Sequence, residues 1–509
     1  IKMSILGGIK SVITNTAIKM LNIRPANDSK ITISEPLSHA GNVIRNRLWY
    51  RGEPSELDQF FKATASNNDK VAQSRFWAAT PSENSNIRKM HSGLPSMMAD
   101  RLCDIVVSDI DKVQVENDIA NAIWEEISKE NKFFELVQDA ITKTLVEGDG
   151  AFKISGDSEL SKYPILEFFS GDKVDYRLNR GRLTNVLFYT SYKKGSKEYI
   201  LEENYGKRSI TYKLYLDGKE VPITSIEETS KLKYVSYSGD YIMAIPIKFF
   251  KSPKWENRGK SIFDTKSDSF DSLDEVISQW IDAFRDGRVN KYIPECLLPR
   301  NPNTGEIIES NPFDNRYIST GTDSGENAKN EIKTTQADIK YEAFIESYAK
   351  ALDLCLQGIV SPATLGIDLK KTDNAEAQRE KEKTTLYTRS KIIDVLTEVI
   401  PQLIDLTLKV NDELSGKAPG EYKGIIEFGE YSTPSFDAVV EIVGKAKSLG
   451  IMSLQKCMDE LYGDTMTDEE KALEIARIKE ESGIYTTDEP STAGEDEDDL
   501  DNLDVDIDE

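Results

Sequence analysis

Arg258-Gly259-Lys260-Ser261 comes nearest to a catalytic signature, because a Gly-Lys-Ser run closes the loop that cradles nucleotide phosphates. That loop also needs a Gly five residues before its second Gly, and this chain has Lys254 there. The run is therefore read as a turn ahead of a helix. Only His39 and His91 are present, too few and too separated for most triad or metal chemistry. Cys103, Cys296, Cys355 and Cys457 form no CxxC, which argues against a zinc site and a disulfide framework and fits a reducing cytoplasm. No GxGxxG follows a strand and no GxSxG occurs. With 88 Asp and Glu, carboxylate pairs are unavoidable, and none stands out as a two-metal cluster. The expectation is no catalytic residue, no metal and no cofactor. One further group has the right type for a polyanion: Lys370 and Lys371, in the loop "SPATLGIDLKKTDN". Such a pair is commonly just a solvated loop tip, and it gains interest from lying between two long helices.

The elements that would position that pair follow from periodicity. Residues 1–150 read as mainly helical, with i, i+3, i+4 spacing in "SELDQFFKATA", "LPSMMADRLCDIVVSD" and "DIANAIWEEISKENKFFELVQDAITKTLVEGDG". The last is read as one apolar face from Ile119 to Ile141, closed by Gly148 and Gly150. From Ala151 to about Lys251 the period becomes two, predicting a strand meander with turns at Ser170-Gly171, Gly195-Ser196 and Asp217-Gly218. Then Phe270, Leu273, Ile277, Trp280 and Phe284 step by 3, 4, 3, 4, a heptad seam. Tyr341, Ile345, Tyr348, Leu352, Cys355 and Ile359 carry a second seam. Pro- and Gly-rich strand-and-turn sequence lies between them, which predicts a helical hairpin with a β tip.

After the lysine loop, Asp373 and Glu376 have the spacing of a capping box for a helix running to about Leu414. Its first half reads as polar all round; its second half has a seam at Ile393, Leu396, Ile400, Leu403 and Val410, with Pro401 expected to kink it. "YKGIIEFGEYSTPSFD" returns as a strand, followed by helices over "SFDAVVEIVGKAKSLGI" and "DEEKALEIARIKEES".

At 509 residues several packed units are expected. Residues 1–23 space apolar side chains as a helix but carry Lys2, Lys10 and Lys19. They are read as packing on the protein itself rather than as a signal peptide or a membrane-surface helix. No apolar run is long enough to cross a bilayer. Net charge is −24, of which residues 488–509 supply −12 through twelve Asp or Glu and no Lys or Arg. That tail is expected to be disordered. An acidic body is not drawn to DNA by phosphate neutralisation, so any DNA would slide past it rather than be gripped.

The segment "GIVSPATLGIDLKKTDNAEAQREKEKTTLYTRSKIIDVL" resembles the signature stretch of tailed-bacteriophage portal proteins, of the type found in phages of Gram-positive bacteria. "RKMHSGLPSMMADRLCDIVV" is similar to an early helix of that family, and the stretch from Glu427 to Ser482 to its C-terminal region. The resemblance implies an α+β, multidomain portal fold assembled as a ring, a homo-oligomer usually of twelve. Residues 1–262 would be the wing, helical to 150 and β-rich from 151, and 263–290 and 341–359 the two stem helices. Residues 291–340 would be the clip, 360–373 the tunnel loop, 374–414 a long kinked wing helix, 415–487 the crown and 488–509 the acidic tail.

It implies that Lys370, Lys371, Thr372 and Asn374 line the DNA channel. Stem packing would fall to Phe270, Leu273, Ile277, Trp280, Phe284, Tyr341, Ile345, Tyr348 and Leu352. Arg300, Asn301, Arg316 and Tyr317 would be clip contacts, although the clip shows little sequence similarity. The implied partners are double-stranded DNA passing non-specifically, terminase, head-completion adaptor proteins, and major capsid and scaffolding proteins, with no membrane. The implied place is the capsid portal vertex of the virion, after assembly in the bacterial cytoplasm. Rival expectations are a packaging nuclease or ATPase subunit, and another minor head or scaffold protein.

Overall fold

The computed structural model describes residues 37–65, 76–79, 88–310, 317–321, 330–336, 338–367, 375–429, 436–462 and 466–481. The chain is mixed α and β and divides into two units, Ile1–Gly429 and Glu430–Glu509. The helix read into residues 1–23, the capping box at Asp373 and the acidic tail lie outside the described residues.

In the first unit, helix α1 (His39–Arg51) starts where the Ser38 hydroxyl accepts the Gly41 N–H, and it ends at Gly52, whose φ of 68° suits a residue without Cβ. Helices α2 (Pro54–Ala65) and α3 (Leu94–Ser108) follow, α3 burying Met98, Leu102, Cys103 and Val106. Strand β1 (Ile110–Val115), absent from the sequence-based reading, pairs antiparallel with residues more than three hundred positions later.

The long apolar face expected from Ile119 to Ile141 is two helices, α4 (Asp118–Glu130) and α5 (Phe133–Glu147). The break lies at Asn131 and Lys132, the latter at φ 48°. The Asn131 amide donates to the carbonyls of Ile127 and Pro164 and accepts the Leu166 N–H, so the break is tied to the strand beside it. Trp124 and Phe133 still pack edge to face across it at 5.0 Å.

The β-rich part begins with β2 (Gly150–Ser155) and β3 (Ile165–Ser170). Then come β4 (Val174–Asn179), β5 (Arg182–Lys194), β6 (Lys197–Gly206), β7 (Ser209–Leu216) and β8 (Lys219–Val221), an antiparallel meander in that order. Strand β9 (Val235–Ser236) pairs with β7, and β10 (Ala244–Ile247) pairs with β2. Gly195-Ser196 and Asp217-Gly218 make the expected turns, with Asp217 and Gly218 both at positive φ, as a type I′ hairpin requires. Along β6, Tyr199, Leu201, Glu203 and Tyr205 face inward. The one charge among them is neutralised: Glu203 lies 2.8 Å from the buried Lys153 ammonium, which also sits 4.9 Å from the Phe169 ring.

The Arg258–Ser261 run is a turn whose polar groups point inward. Asp149, fully buried, accepts the Gly259 N–H at 2.7 Å and faces the Arg258 guanidinium at 3.3 Å, while Arg258 also donates to the Val174 carbonyl. The Ser261 hydroxyl donates to the Val146 carbonyl at 2.6 Å. A Cβ on Gly259 would sit 2.0 Å from the Gly148 carbonyl oxygen, so both glycines are needed for the two backbones to touch. Asp264 collects Asn42 and Asn46 of α1 at 2.7 and 2.8 Å. These contacts fix the end of α5 against the segment that leads into the next helix.

His39 packs edge to face on Trp255 at 5.3 Å beside this joint. Burial, helped by the nearby Arg258 charge, lowers its pKa to about 4, whereas burial raises that of Asp149 to about 6 despite Arg258. A depressed base stabilises the fold above its unfolded value, and that contribution is lost as pH falls from about 6.5 through about 4; Asp149 acts in the opposite sense over much of the same range. The His39 effect is thus a difference between two pH profiles of melting temperature. His39→Gln should lose less stability than the native chain between those pH values, and parallel profiles would refute a neutral buried imidazole.

Candidate functional site

Helix α6 (Ser267–Asp286) and helix α7 (Tyr341–Leu356) pack antiparallel. The Lys266 ammonium at the start of α6 donates to the Leu354 carbonyl near the end of α7, and Gly287 at the other end lies against Ile339. The two seams are graded along this pair. Phe270, Leu273, Leu352 and Cys355 are fully buried, Ile277, Trp280 and Tyr348 are half-buried, and Phe284, Ile345 and Tyr341 are 61%, 48% and 59% exposed. Phe270 packs on Trp49 and Phe263, each at 5.6 Å, so Phe270, Leu273 and Leu352 belong to the chain's own core and not to a contact with another copy. The bare half of the seam lies toward the tip.

The adjoining face of α6 is held by buried carboxylates. Asp274, at zero exposure, accepts from Trp77 Nε1 at 3.2 Å and the Ser92 N–H at 2.9 Å, and lies 2.7 Å from His91 Nδ1. Asp271 accepts the backbone N–H groups of Phe76 and Trp77, and the Ser278 hydroxyl oxygen accepts that of Met90. Positions 271, 274 and 278 follow one helix face, so a single polar stripe organises residues 76–79 and 90–92.

Between α6 and α7 the tip is a three-stranded sheet. Strand β11 (Asn290–Pro294) pairs parallel with β12 (Tyr317–Thr320) and antiparallel with β13 (Lys333–Thr335). Its core is small: Ile293, Leu298 and Tyr317. Tyr317 is therefore interior, its hydroxyl donating to the Ile308 carbonyl, and it does not present a ring to a partner. Arg300 donates to Gly305 O, and Asn301 accepts the Asn303 N–H; both are used in building the turn at 301–305. Arg316 lies outside the described residues.

After α7 the chain turns through Ile359–Gly366 onto α8 (Ala375–Leu414). The Ser361 N–H donates to the buried Thr385 hydroxyl at 2.9 Å, Thr364 and Thr385 hydroxyls are 2.8 Å apart, and Thr388 donates to the Ile359 carbonyl at 2.7 Å. The rod expected to be polar all round in its first half is therefore buried on one side from Thr385 onward, and two small hydroxyls do the fastening. Farther along, Ile392, Leu396, Ile400, Leu403 and Val410 are buried, with Ile393 only partly so, and the helix continues through Pro401. Lys370, Lys371, Thr372 and Asn374 lie outside the described residues; what the structure gives is the fixed base from which they depart. A cavity of about 640 Å³ opens beside this base, against Leu354, Ser361 and Thr384.

Strand β14 (Gly424–Phe428) closes the first unit by pairing with β1. Arg389 of α8 joins the same corner, 2.5 Å from Asp109 and donating to the Gly429 carbonyl. The division between units thus falls after β14 and not at residue 415. The second unit has helices α9 (Phe436–Ser448), α10 (Leu454–Tyr462) and α11 (Asp468–Glu481), of which α10 was not expected. A Thr467–Glu470 capping box starts α11.

Among the described residues no three His, Cys, Asp or Glu side chains converge to hold a metal ion, no disulfide forms, and no helix is long and apolar enough to cross a membrane. No protein-family model and no curated protein matches the chain. Among solved structures it aligns with a chain titled as the neck of a native GTA particle computed with C12 symmetry, at 12% identity over 76% of this chain and 91% of that one, TM-score 0.36. It also aligns with a chain from the neck of an empty GTA particle computed with C6 symmetry, at 12% identity over 75% and 95%, TM-score 0.36. Similarity that slight transfers no role to this chain.

Two substitutions test the anchors. Asp274→Ala leaves an indole, an imidazole and a backbone donor without their acceptor and should cost about 3 kcal/mol in denaturant unfolding; a loss under about 1 kcal/mol would show that the stripe is not a lock. Thr385→Val removes the acceptor of the Ser361 N–H. Hydrogen exchange of residues 359–366 should accelerate about tenfold, near 1.4 kcal/mol of local opening, with little change in global stability.

Proposed function

We propose that the chain is one subunit of a ring-shaped portal, or head–tail connector, at the capsid vertex of a tailed-phage-type particle. Its channel would pass double-stranded DNA inward during packaging by terminase and outward at ejection. The observation that carries this reading is the graded seam: α6 and α7 are locked into the chain at one end and leave Phe284, Ile345 and Tyr341 bare at the other. Side chains of that size lose apolar stabilisation when left in water. A second copy of the same hairpin supplies a complementary surface, and closed rotational symmetry covers every copy without leaving an end. The sequence resemblance, strongest over the loop and its following helix, supports the same reading. So does the pinned base after α7, which would hold each copy's Lys370 and Lys371 at a common height.

In this reading the subunit does no catalysis and needs no cofactor; work comes from a separate motor. The small β tip between the stem helices is where terminase and head-completion adaptors would attach, and capsid and scaffolding proteins would surround the assembled ring. A body that carries −12 outside its acidic tail repels the duplex and so keeps it from adhering to the wall.

Native mass measurement and electron micrographs of the purified chain provide the test. Closed rings of about a dozen copies are expected. Phe284→Asp combined with Ile345→Asp should abolish rings while leaving the melting temperature of the subunit nearly unchanged. Rings that persist in the double variant would remove the seam from the account, and nucleotide hydrolysis by the pure chain would favour a packaging enzyme.

A further inference from the structure

Against the acidic body, residues 248–266 carry Lys248, Lys251, Lys254, Arg258, Lys260 and Lys266 but only Glu256 and Asp264, a local net charge of +4. The structure folds part of this stretch around a cavity of about 260 Å³, closed on the other side by the loop base at Gln357–Ile359 and by α8. Lys260, Lys266 and Lys391 line it, and no carboxylate does. Lys266 gives one donor to the Leu354 carbonyl and keeps two. Among the described residues no acidic side chain lies within ion-pairing distance of Lys260 or Lys391. The hydroxyls of Ser261 and Thr388 are both committed to backbone carbonyls, which leaves the three ammonium groups, with the Gln357 amide and the Thr265 hydroxyl, as the donors lining the site.

We propose that this lysine-lined cavity is a phosphate-binding site, and that the phosphates it takes are those of a duplex DNA backbone. Three cations sharing one recess without a counter-anion repel one another, and an entering phosphate relieves that repulsion while releasing condensed counterions from the nucleic acid. Burial, with Lys260 contributing, already lowers the Lys266 pKa, which an anion in the cavity would reverse. The volume is below the roughly 300 Å³ at which small-molecule pockets begin, so a single phosphate group on a passing polymer fits better than a whole nucleotide. Lys ammonium groups are point charges with rotatable donors, suited to brief, sequence-independent contact. The choice of DNA as polymer rests on the portal reading; the presence of an anion site does not.

The full-length chain would be titrated with a fluorescent duplex of about 30 base pairs, following anisotropy from low to physiological salt. Lys260→Glu with Lys391→Glu should weaken binding about tenfold at low salt and flatten the salt dependence by one to two phosphate contacts. Lys197→Glu with Lys219→Glu, on the exposed β5–β6 and β7–β8 hairpin turns, should change it less than about twofold. Equal losses in the two double variants, or no duplex binding by the native chain, would overturn the proposal. Inorganic phosphate and a nucleoside triphosphate serve as competitors. Saturable sub-millimolar binding of either, without duplex binding, would mean a small-anion site and equally overturn it. Ring assembly is scored on the same samples by mass. A pocket variant that assembles and binds duplex like the native chain defeats this inference alone, whereas absent rings with pocket-dependent duplex binding defeat the portal reading alone.

Discussion

Everything that positions the tip and the loop depends on α6 being fixed at its first half. One face supplies Phe270 and Leu273 to the aromatic core around Trp49 and Phe263. The adjoining face supplies Asp271, Asp274 and Ser278 to backbone and ring groups of Phe76, Trp77, Met90, His91 and Ser92. Burying a carboxylate is costly unless its acceptor capacity is filled, and Asp274 fills it with three partners. Because such a group tolerates no vacant partner, the helix has one seat. A rod anchored over its first three turns then holds the rest of its length at a defined angle without further support. Helix α7 is carried along by pairing with it, and the segment after α7 inherits the same frame.

The elements with local signals were legible in the sequence. Helical spacing marked α3, period two and Asp217-Gly218 marked the meander, and 3-4 stepping marked the α6–α7 pair. What escaped were features decided at long range. The β1–β14 pairing joins residues some three hundred apart, and neither strand is long enough to declare itself. The division at Asn131 was hidden because the apolar period continues across it, while the Asn amide that stabilises it finds its partners in another element.

Polar side chains misled in the same way. Thr385 and Thr388 look like part of a polar rod, and nothing in the sequence singles out Asp271 and Asp274. All four are buried because their partners come from elsewhere. Conversely, a seam on α6 and α7 was readable, but not that its first half would be filled from within one chain. Of the candidate site, the exposed seam residues were legible and the lysine-lined cavity was not, since Lys391 meets Lys260 and Lys266 only through folding.

The corner where Asp109, Arg389 and Gly429 meet has a consequence for how the polypeptide can be divided. Strand β14 is the last element of the first unit, yet it completes a ladder begun about a fifth of the way along the sequence. A fragment stopped before Gly424 would expose the whole edge of β1 and orphan its backbone amides, inviting self-association through that edge. One stopped after Gly429 keeps the ladder and the Arg389 guanidinium satisfied. The economical place to dissect this molecule is therefore just after Gly429.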